Sequence, residues 1–334
     1  MRKLYFFEPT SDCTYEDVIS RPIGGSEFQI YNLVNELSKY FQCFVFNHCK
    51  EEKKIRNVFY NHYSQLFDKR FIDDTVIIVC HRRPEPKIRE MYKKNKMILY
   101  VHDLENMLSN YRDFIFEDKN LHLACNSEFS RDFVIPREVG NVEHNRLHIT
   151  YNIFYPLLFT KSNPIINKHQ LIYASAWQKG VEKIIRIFDY ILTRNKDFKL
   201  VLLSPGYDWN NFEKYREELA TKYGDSIKIL GPQKKDNYVK LLEESLCVFA
   251  PDFGETFGCV FEEASYLGTP TIGSINSGAV REIVGDVFMV NYNNMEEVYQ
   301  LLEKIYNNRP TITLDEKFML KQNLIKWLDI LEYK

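Results

Sequence analysis

The stretch "LIYASAWQKGVEKIIRIFDYILTRNKDFKLVLLS", residues 171–204, decides the fold. It opens on the apolar run LIYAS (171–175) and closes on another, FKLVLLS (198–204). Between them Val181, Ile184, Ile185, Phe188, Ile191 and Leu192 recur at the spacing of one helix face. Strand, helix and strand follow one another, and the strands are continuously apolar rather than alternating. Such strands are covered on both faces, as in a parallel sheet with helices on either side.

The same scheme extends in both directions. Downstream lie IKILG (227–231), LCVFAP (246–251) and TPTIG (269–273). Upstream lie KLYFF (3–7), CFVF (43–46), TVIIVC (75–80), MILYVH (97–102) and LHLAC (121–125). Ile30, Leu33, Val34 and Leu37 predict a helix over 26–40 with Ser26 as its N-cap. The alternation breaks in FYPLLFTKSNPIINKHQ (154–170), where two prolines and polar residues interrupt it. The expected organisation is therefore a first domain over 1–155, a linker over 156–170 and a second domain over 171–312. A final helical segment, 313–334, has an apolar stripe of Leu320, Leu324, Trp327, Leu328 and Leu331, expected to pack back on the first domain. The fold class is α/β: two doubly wound, Rossmann-like domains whose parallel sheets face a cleft. Ligands of such sheets collect at the carboxyl ends of the strands.

Composition agrees with a folded chain. Its 334 residues are 45% hydrophobic and 27% charged, enough for two domains. The net charge is −2, with 22 basic and 22 acidic residues in 1–155 and 22 and 24 in the remainder. A nucleic-acid partner thus loses its electrostatic driving force. The seven cysteines are scattered, odd in number and free of any C-x-x-C pair, as for reduced thiols of an intracellular protein. No apolar run approaches the ~18 residues of a membrane span, and the expected location is the cytoplasm. The basic stretch PKIREMYKKNKM (86–97) carries Lys87, Arg89, Lys93, Lys94 and Lys96. It reads as a solvated helix face in preference to a membrane contact.

Four loops carry candidate chemistry. In RPIGGSEF (21–28), Gly24 and Gly25 precede a helix. They either let backbone amides approach an anion or form a flexible turn; no G-x-G-x-x-G accompanies them, so a nicotinamide dinucleotide has little support. In LYVHDLE (99–105), His102 and Asp103 end a strand, as substrate contacts or as structural hydrogen-bonding residues. In AWQKG, Lys179 stands at a helix start, either as a point charge for phosphate or as a solvated lysine. In FGETFGCVFEEASYLGTPTIG (253–273), Gly254 and Gly258 flank Glu255 in a loop, and Glu263 lies further along a helix of 258–267. Carboxylates so placed can accept from two sets of hydroxyls, with an anion cradled by the amides between them. Glu262 reads as a solvated glutamate of an acidic helix.

Assembled, these residues resemble the retaining glycosyltransferases of the GT-B fold, specifically family 4 of the nucleotide-sugar-dependent enzymes. That family carries a pattern like E-x-F-G-x-x-x-x-E-A-x-x-x-G-x-P, and ETFGCVFEEASYLGTP (255–270) is similar to it at nearly every fixed position. IGGSE, YVHD, CNSEFSRD (125–132), ITYNIF, QKG and INSGAVREIV (275–284) follow in family order.

The resemblance implies that Glu263 binds the ribose hydroxyls and Glu255 those of the transferred sugar. The amides of Phe257, Gly258 and Cys259 would meet sugar and phosphate, Lys179 and the Gly24–Gly25 loop the diphosphate, and His102 the sugar near the reacting carbon. Base contacts fall around Gly231, Pro232 and Gln233, and Glu282 follows a Ser-Gly pair where the family often has two glycines. It implies a metal-independent transferase with no cofactor, and the sequence has no D-x-D. The donor is a nucleotide sugar, GDP-mannose first and UDP-glucose second, and the acceptor a glycan or other hydroxyl compound. One departure stands out: Ser175 occupies the place of a family arginine that helps grip the diphosphate. That departure keeps a non-catalytic nucleotide-sugar-binding protein as the alternative, beside a GT-B-fold sugar-nucleotide epimerase.

Overall fold

The computed structural model describes every residue except 21–22, 83, 103–111, 113–114, 116–117, 163, 206–208 and 334. The chain divides into two units. Unit 1 comprises Met1–Ser20, Gly25–Ile153 and Leu320–Lys334; unit 2 comprises Arg21–Gly24 and Phe154–Met319.

Among the described residues, unit 1 is built on an eight-stranded sheet. Its strands are β1 (Lys3–Phe7), β2 (Gln42–Asn47), β3 (Lys53–Ile55), β4 (Val58–His62), β5 (Ile77–Cys80), β6 (Met97–Val101), β7 (Leu121–Cys125) and β8 (Leu147–Ile149). Their spatial order is β3-β4-β2-β1-β5-β6-β7-β8, parallel throughout except where β3 returns antiparallel on β4. All residues of β5 and β6 are buried, which is why those runs carry no polar alternation. Tyr5, Phe7, Phe46, Phe71, Ile78 and Leu99 lie in one core cluster of this unit.

The helix Gly25–Leu37 follows β1. Ser26 is its second residue and not its N-cap: the helix begins one residue earlier than expected, and the Ser26 hydroxyl donates to Glu27. The helix Leu320–Ile330 packs within unit 1, where Trp327 is fully buried edge-on against Tyr100, with ring centroids 5.0 Å apart. Its buried face is Asn323, Trp327 and Ile330.

The basic stretch 86–97 is only partly a solvated face, which corrects the sequence reading. Its helix is short, Pro86–Met91. Arg89 is buried, donates to the carbonyls of Tyr92 and Asn95 and pairs with Asp118, while Lys96 Nζ donates to Ile330 O at 2.7 Å. Arg89 and Lys96 therefore fasten this unit internally.

Unit 2 carries a six-stranded parallel sheet: β9 (Asn167–Tyr173), β10 (Lys199–Leu203), β11 (Ile227–Leu230), β12 (Ser245–Phe249), β13 (Thr271–Ser274) and β14 (Met289–Val290), in the order β11-β10-β9-β12-β13-β14. The helix Val181–Arg194 buries Val181, Ile184, Ile187, Phe188 and Ile191 against it; Ile187 joins the expected stripe, while Ile185 and Leu192 are only partly buried at its border. Each unit is thus an α/β layer structure with a parallel sheet, the fold class expected from the sequence.

No helix among the described residues is long and apolar enough to cross a membrane.

Candidate active site

In unit 2 the chain runs from β9 to β10 and β11 on one side, then returns to β12 and continues to β13 and β14 on the other. The order reverses between β9 and β12, and a crevice at their carboxyl ends is where an open α/β sheet takes its ligand. Lys179 lies in the loop after β9 and Glu255 in the loop after β12, and they meet there: Lys179 Nζ donates to Glu255 Oε1 at 2.9 Å. Glu255 is 7% exposed, whereas the Lys179 side chain keeps 31% of its surface. A paired cation with that much of its surface exposed can still face an incoming anion. Ser175, also in this region, is buried.

The chain leaves Glu255 for the helix Cys259–Leu267 through Gly258, which has φ +94°. A Cβ there would stand 2.4 Å from Phe261 Cδ2, so only glycine permits this entry. The first-turn amides of the helix then open beside Glu255, where its partial positive charge favours an anion. Gly258 and Cys259 thus stand at the amino end of this helix. Phe257 is different in kind: its ring is buried and packs edge-on against Phe318, with centroids 5.6 Å apart, so only its backbone is available to a ligand. The INSGAVREIV segment is tied to the same loop by Ala279 N–H, which donates to Glu255 O at 3.1 Å. Glu282 follows in the short helix Val280–Val284.

Glu263 lies on the Cys259 helix with both oxygens engaged. Lys235 Nζ donates to Oε1 at 2.9 Å and the Tyr238 hydroxyl donates to Oε2. Glu262 corrects the sequence reading: it is not solvated but buried, and its Oε1 has no hydrogen-bond partner among the described residues. Burial first, and the neighbouring Glu263 second, push its carboxyl well above the usual range, against the pull of Lys235. Two adjacent glutamates thus differ in setting, Glu263 paired with a cation and Glu262 holding its proton more tightly than an exposed carboxyl does.

Gly231, Pro232 and Gln233 form the loop after β11. Gln233 Nε2 donates to Gly231 O at 2.8 Å, and its Oε1 accepts from Asn237. With both ends of the amide turned back on this segment, the loop offers its backbone to a ligand.

Unit 1 has its own reversal, between β1 and β5. Glu8 directly follows β1, His81 follows β5, and His102 follows β6. The Glu8 carboxylate binds His81 Nδ1 and accepts from Thr10 N–H at 2.9 Å, and the His81 and His102 rings meet edge-on at 5.0 Å. Burial raises the Glu8 carboxyl, but the hydrogen bond and charge of His81, with Thr10 and Arg82, leave it below its usual value. His102 is buried, and that burial, with His81 and Arg82 beside it, holds its imidazole well below its ordinary range. It is a neutral hydrogen-bonding group at physiological pH. Asp103 lies outside the described residues. Gly25 opens the helix of this unit, while Gly24 belongs to unit 2.

Glu8, His81, Lys235 and Tyr238 are absent from the sequence reading. Glu8 and His81 each stand first after a buried strand, so applying the carboxyl-end rule to every strand would have found them. Lys235 and Tyr238 carry no local signal, because only tertiary packing brings their helix to Glu263.

Residues 161–323 match the family model described as Glycosyl transferases group 1. Over 110 residues, 32% of the chain, the sequence is 34% identical to an uncharacterized glycosyltransferase of Methanocaldococcus jannaschii. The match spans 27% of that relative's length. A glycosyltransferase from Rickettsia africae has a similar structure, with a TM-score of 0.71 at 14% identity over 100% of this chain and 99% of that one. Anabaena Alr3699/HepE, solved in complex with UDP and glucose, gives 0.67 at 13% identity over 100% and 95%. The fold is that of the GT-B glycosyltransferases, and unit 2 carries a domain similar to glycosyl transferases group 1.

Proposed function

We propose that this protein is a retaining glycosyltransferase that moves a hexosyl group from a nucleoside-diphosphate sugar to a hydroxyl of a glycan or similar acceptor. The observation that carries the reading is the Lys179–Glu255 pair at the reversal of the unit 2 sheet, beside the amino end of the Cys259 helix. Expelling a nucleoside diphosphate builds negative charge on the leaving phosphate. Lys179 and the helix amides are fixed donors for that charge, and such donors are each worth about 3–4 kcal/mol in the transition state. Glu255 holds Lys179 in place and accepts from sugar hydroxyls; Glu263 accepts from the ribose. In this reading the phosphate departs from the face on which the acceptor attacks and takes the acceptor's proton, so the anomeric configuration is retained. Lys179 and the helix terminus do the work of a metal ion, and activity is expected to survive EDTA.

The HepE complex with UDP and glucose supports a uridine donor, and we place UDP-glucose ahead of the GDP-mannose taken first from the family resemblance. Thermal unfolding with UDP, GDP and ADP and their sugars tests the donor class. A ligand at about 100 times its dissociation constant stabilises by about 2.7 kcal/mol. Stabilisation by one base series, with product formation lowered about 100-fold or more in Lys179→Met, is the expected result. Product with inverted configuration by NMR would exclude the same-face mechanism. Donor binding without turnover on any acceptor would favour the non-catalytic reading, which Ser175 in the place of the arginine keeps in play.

A further inference from the structure

A carboxylate has two oxygens with two acceptor positions each, and those of Glu263 are each given one donor by a neighbouring helix. Lys235 and Tyr238 lie three residues apart on the helix Lys235–Glu244 and so on one face of it. Lys235 Nζ takes a position on Oε1 at 2.9 Å and Tyr238 takes one on Oε2. The ammonium is itself held: it lies 3.9 Å from the ring centroid of Phe159 and 5.0 Å from that of Tyr238. Burial and the adjacent Glu263 push the Tyr238 phenol well above its usual range, so it remains a donor. The carboxylate is therefore held from one helix, and with one donor on each oxygen among the described residues a further acceptor position remains on each. Two neighbouring acceptors on one carboxylate match the two hydroxyls of a vicinal diol.

We propose that Lys235 and Tyr238 are positioning residues that fix the Glu263 carboxylate for the 2′,3′-diol of a nucleotide ribose, and so set the preference for ribonucleotides over 2′-deoxyribonucleotides. This rests on the placement of the ribose at Glu263 given above. Neither residue touches the diol; each acts through the orientation of the carboxylate.

The test is calorimetric binding of UDP and 2′-deoxy-UDP to the full chain, or of the guanosine pair if guanine is the base selected. Wild type, Tyr238→Phe, Lys235→Met, Lys235→Arg and Glu263→Gln are compared. A hydrogen bond to a charged group gives an expected wild-type preference for UDP of about tenfold or more. Tyr238→Phe and Lys235→Met are expected to cut that ratio to about threefold or less, with 2′-deoxy-UDP affinity nearly unchanged, and Lys235→Arg to restore most of it. A merely structural role would lower both affinities together and leave the ratio intact. If both variants keep the wild-type ratio while Glu263→Gln abolishes it, the positioning role is wrong and the ribose placement stands. If Glu263→Gln also keeps the ratio, or wild type shows no preference, the ribose placement fails and this inference fails with it. Tyr238→Phe removes a single oxygen, so it keeps the test open should Lys235→Met fold poorly.

Discussion

Glu262 and Glu263 are the same amino acid on the same helix, yet their surroundings give them different chemistry. The folded-state pKa of Glu262 is raised above the ordinary 4.5. Between that value and its folded pKa, the folded protein keeps a proton that the unfolded chain has released, so stability falls as pH rises through the window. Glu262→Gln keeps the shape and has no proton to lose. Its stability relative to wild type is expected to be flat below about pH 4.5 and to grow above it, by at most about 1.4 kcal/mol per pH unit. Urea denaturation of both proteins near pH 5 and near pH 8 measures this, and a constant offset would show that Glu262 is ionised in the folded state.

At the scale of elements, the helix Cys259–Leu267 is bounded by two left-handed glycines, Gly258 at φ +94° and Gly268 at φ +83°. They differ in what a side chain would meet. At Gly268 the nearest atom to an added Cβ is Ile312 O at 3.9 Å, so Gly268→Ala should cost only the backbone penalty of about 1–2 kcal/mol. At Gly258 the clash with Phe261 adds an overpacking cost, for about 2–5 kcal/mol in all. Equal losses in chemical denaturation would mean that the Phe261 ring moves aside freely.

The elements also show what a sequence reveals. KLYFF and LHLAC coincide with β1 and β7 because strands buried on both faces announce themselves as unbroken apolar runs. β3, β8 and the two-residue β14 escape notice, being three residues or fewer and at a sheet edge, and β4, one place in from the edge, ends on the polar Asn61 and His62. The site divides along the same line. Lys179, Glu255 and Gly258 sit in loops whose glycines and strand ends are local features. The burial of Glu262 depends on what packs over it, and no local pattern encodes that. The contact of Tyr238 with Glu263 joins residues 25 apart in sequence and is equally silent.

At the scale of the whole molecule, the two units repeat one device. Each sheet reverses its order beside its first strand, and each places a buried carboxylate against a basic group at that point: Glu8 with His81, and Glu255 with Lys179. The helix Leu320–Ile330 completes unit 1 from the far end of the chain, and Trp327 is its anchor. Trp327→Ala is expected to cost about 3–5 kcal/mol, borne by that unit alone. Hydrogen exchange should quicken in β6, which carries Tyr100, and stay unchanged in β9; equal changes in both would show that the helix stabilises the units jointly.

Of the seven cysteines, six are buried and Cys259 alone is partly open, at the first position of the helix that starts beside Glu255. The thiol most exposed to a reagent is therefore already located at the candidate donor site. A fluorophore or spin label attached there would report on occupancy without any engineered attachment point, and protection from alkylation would be a footprint of the candidate site.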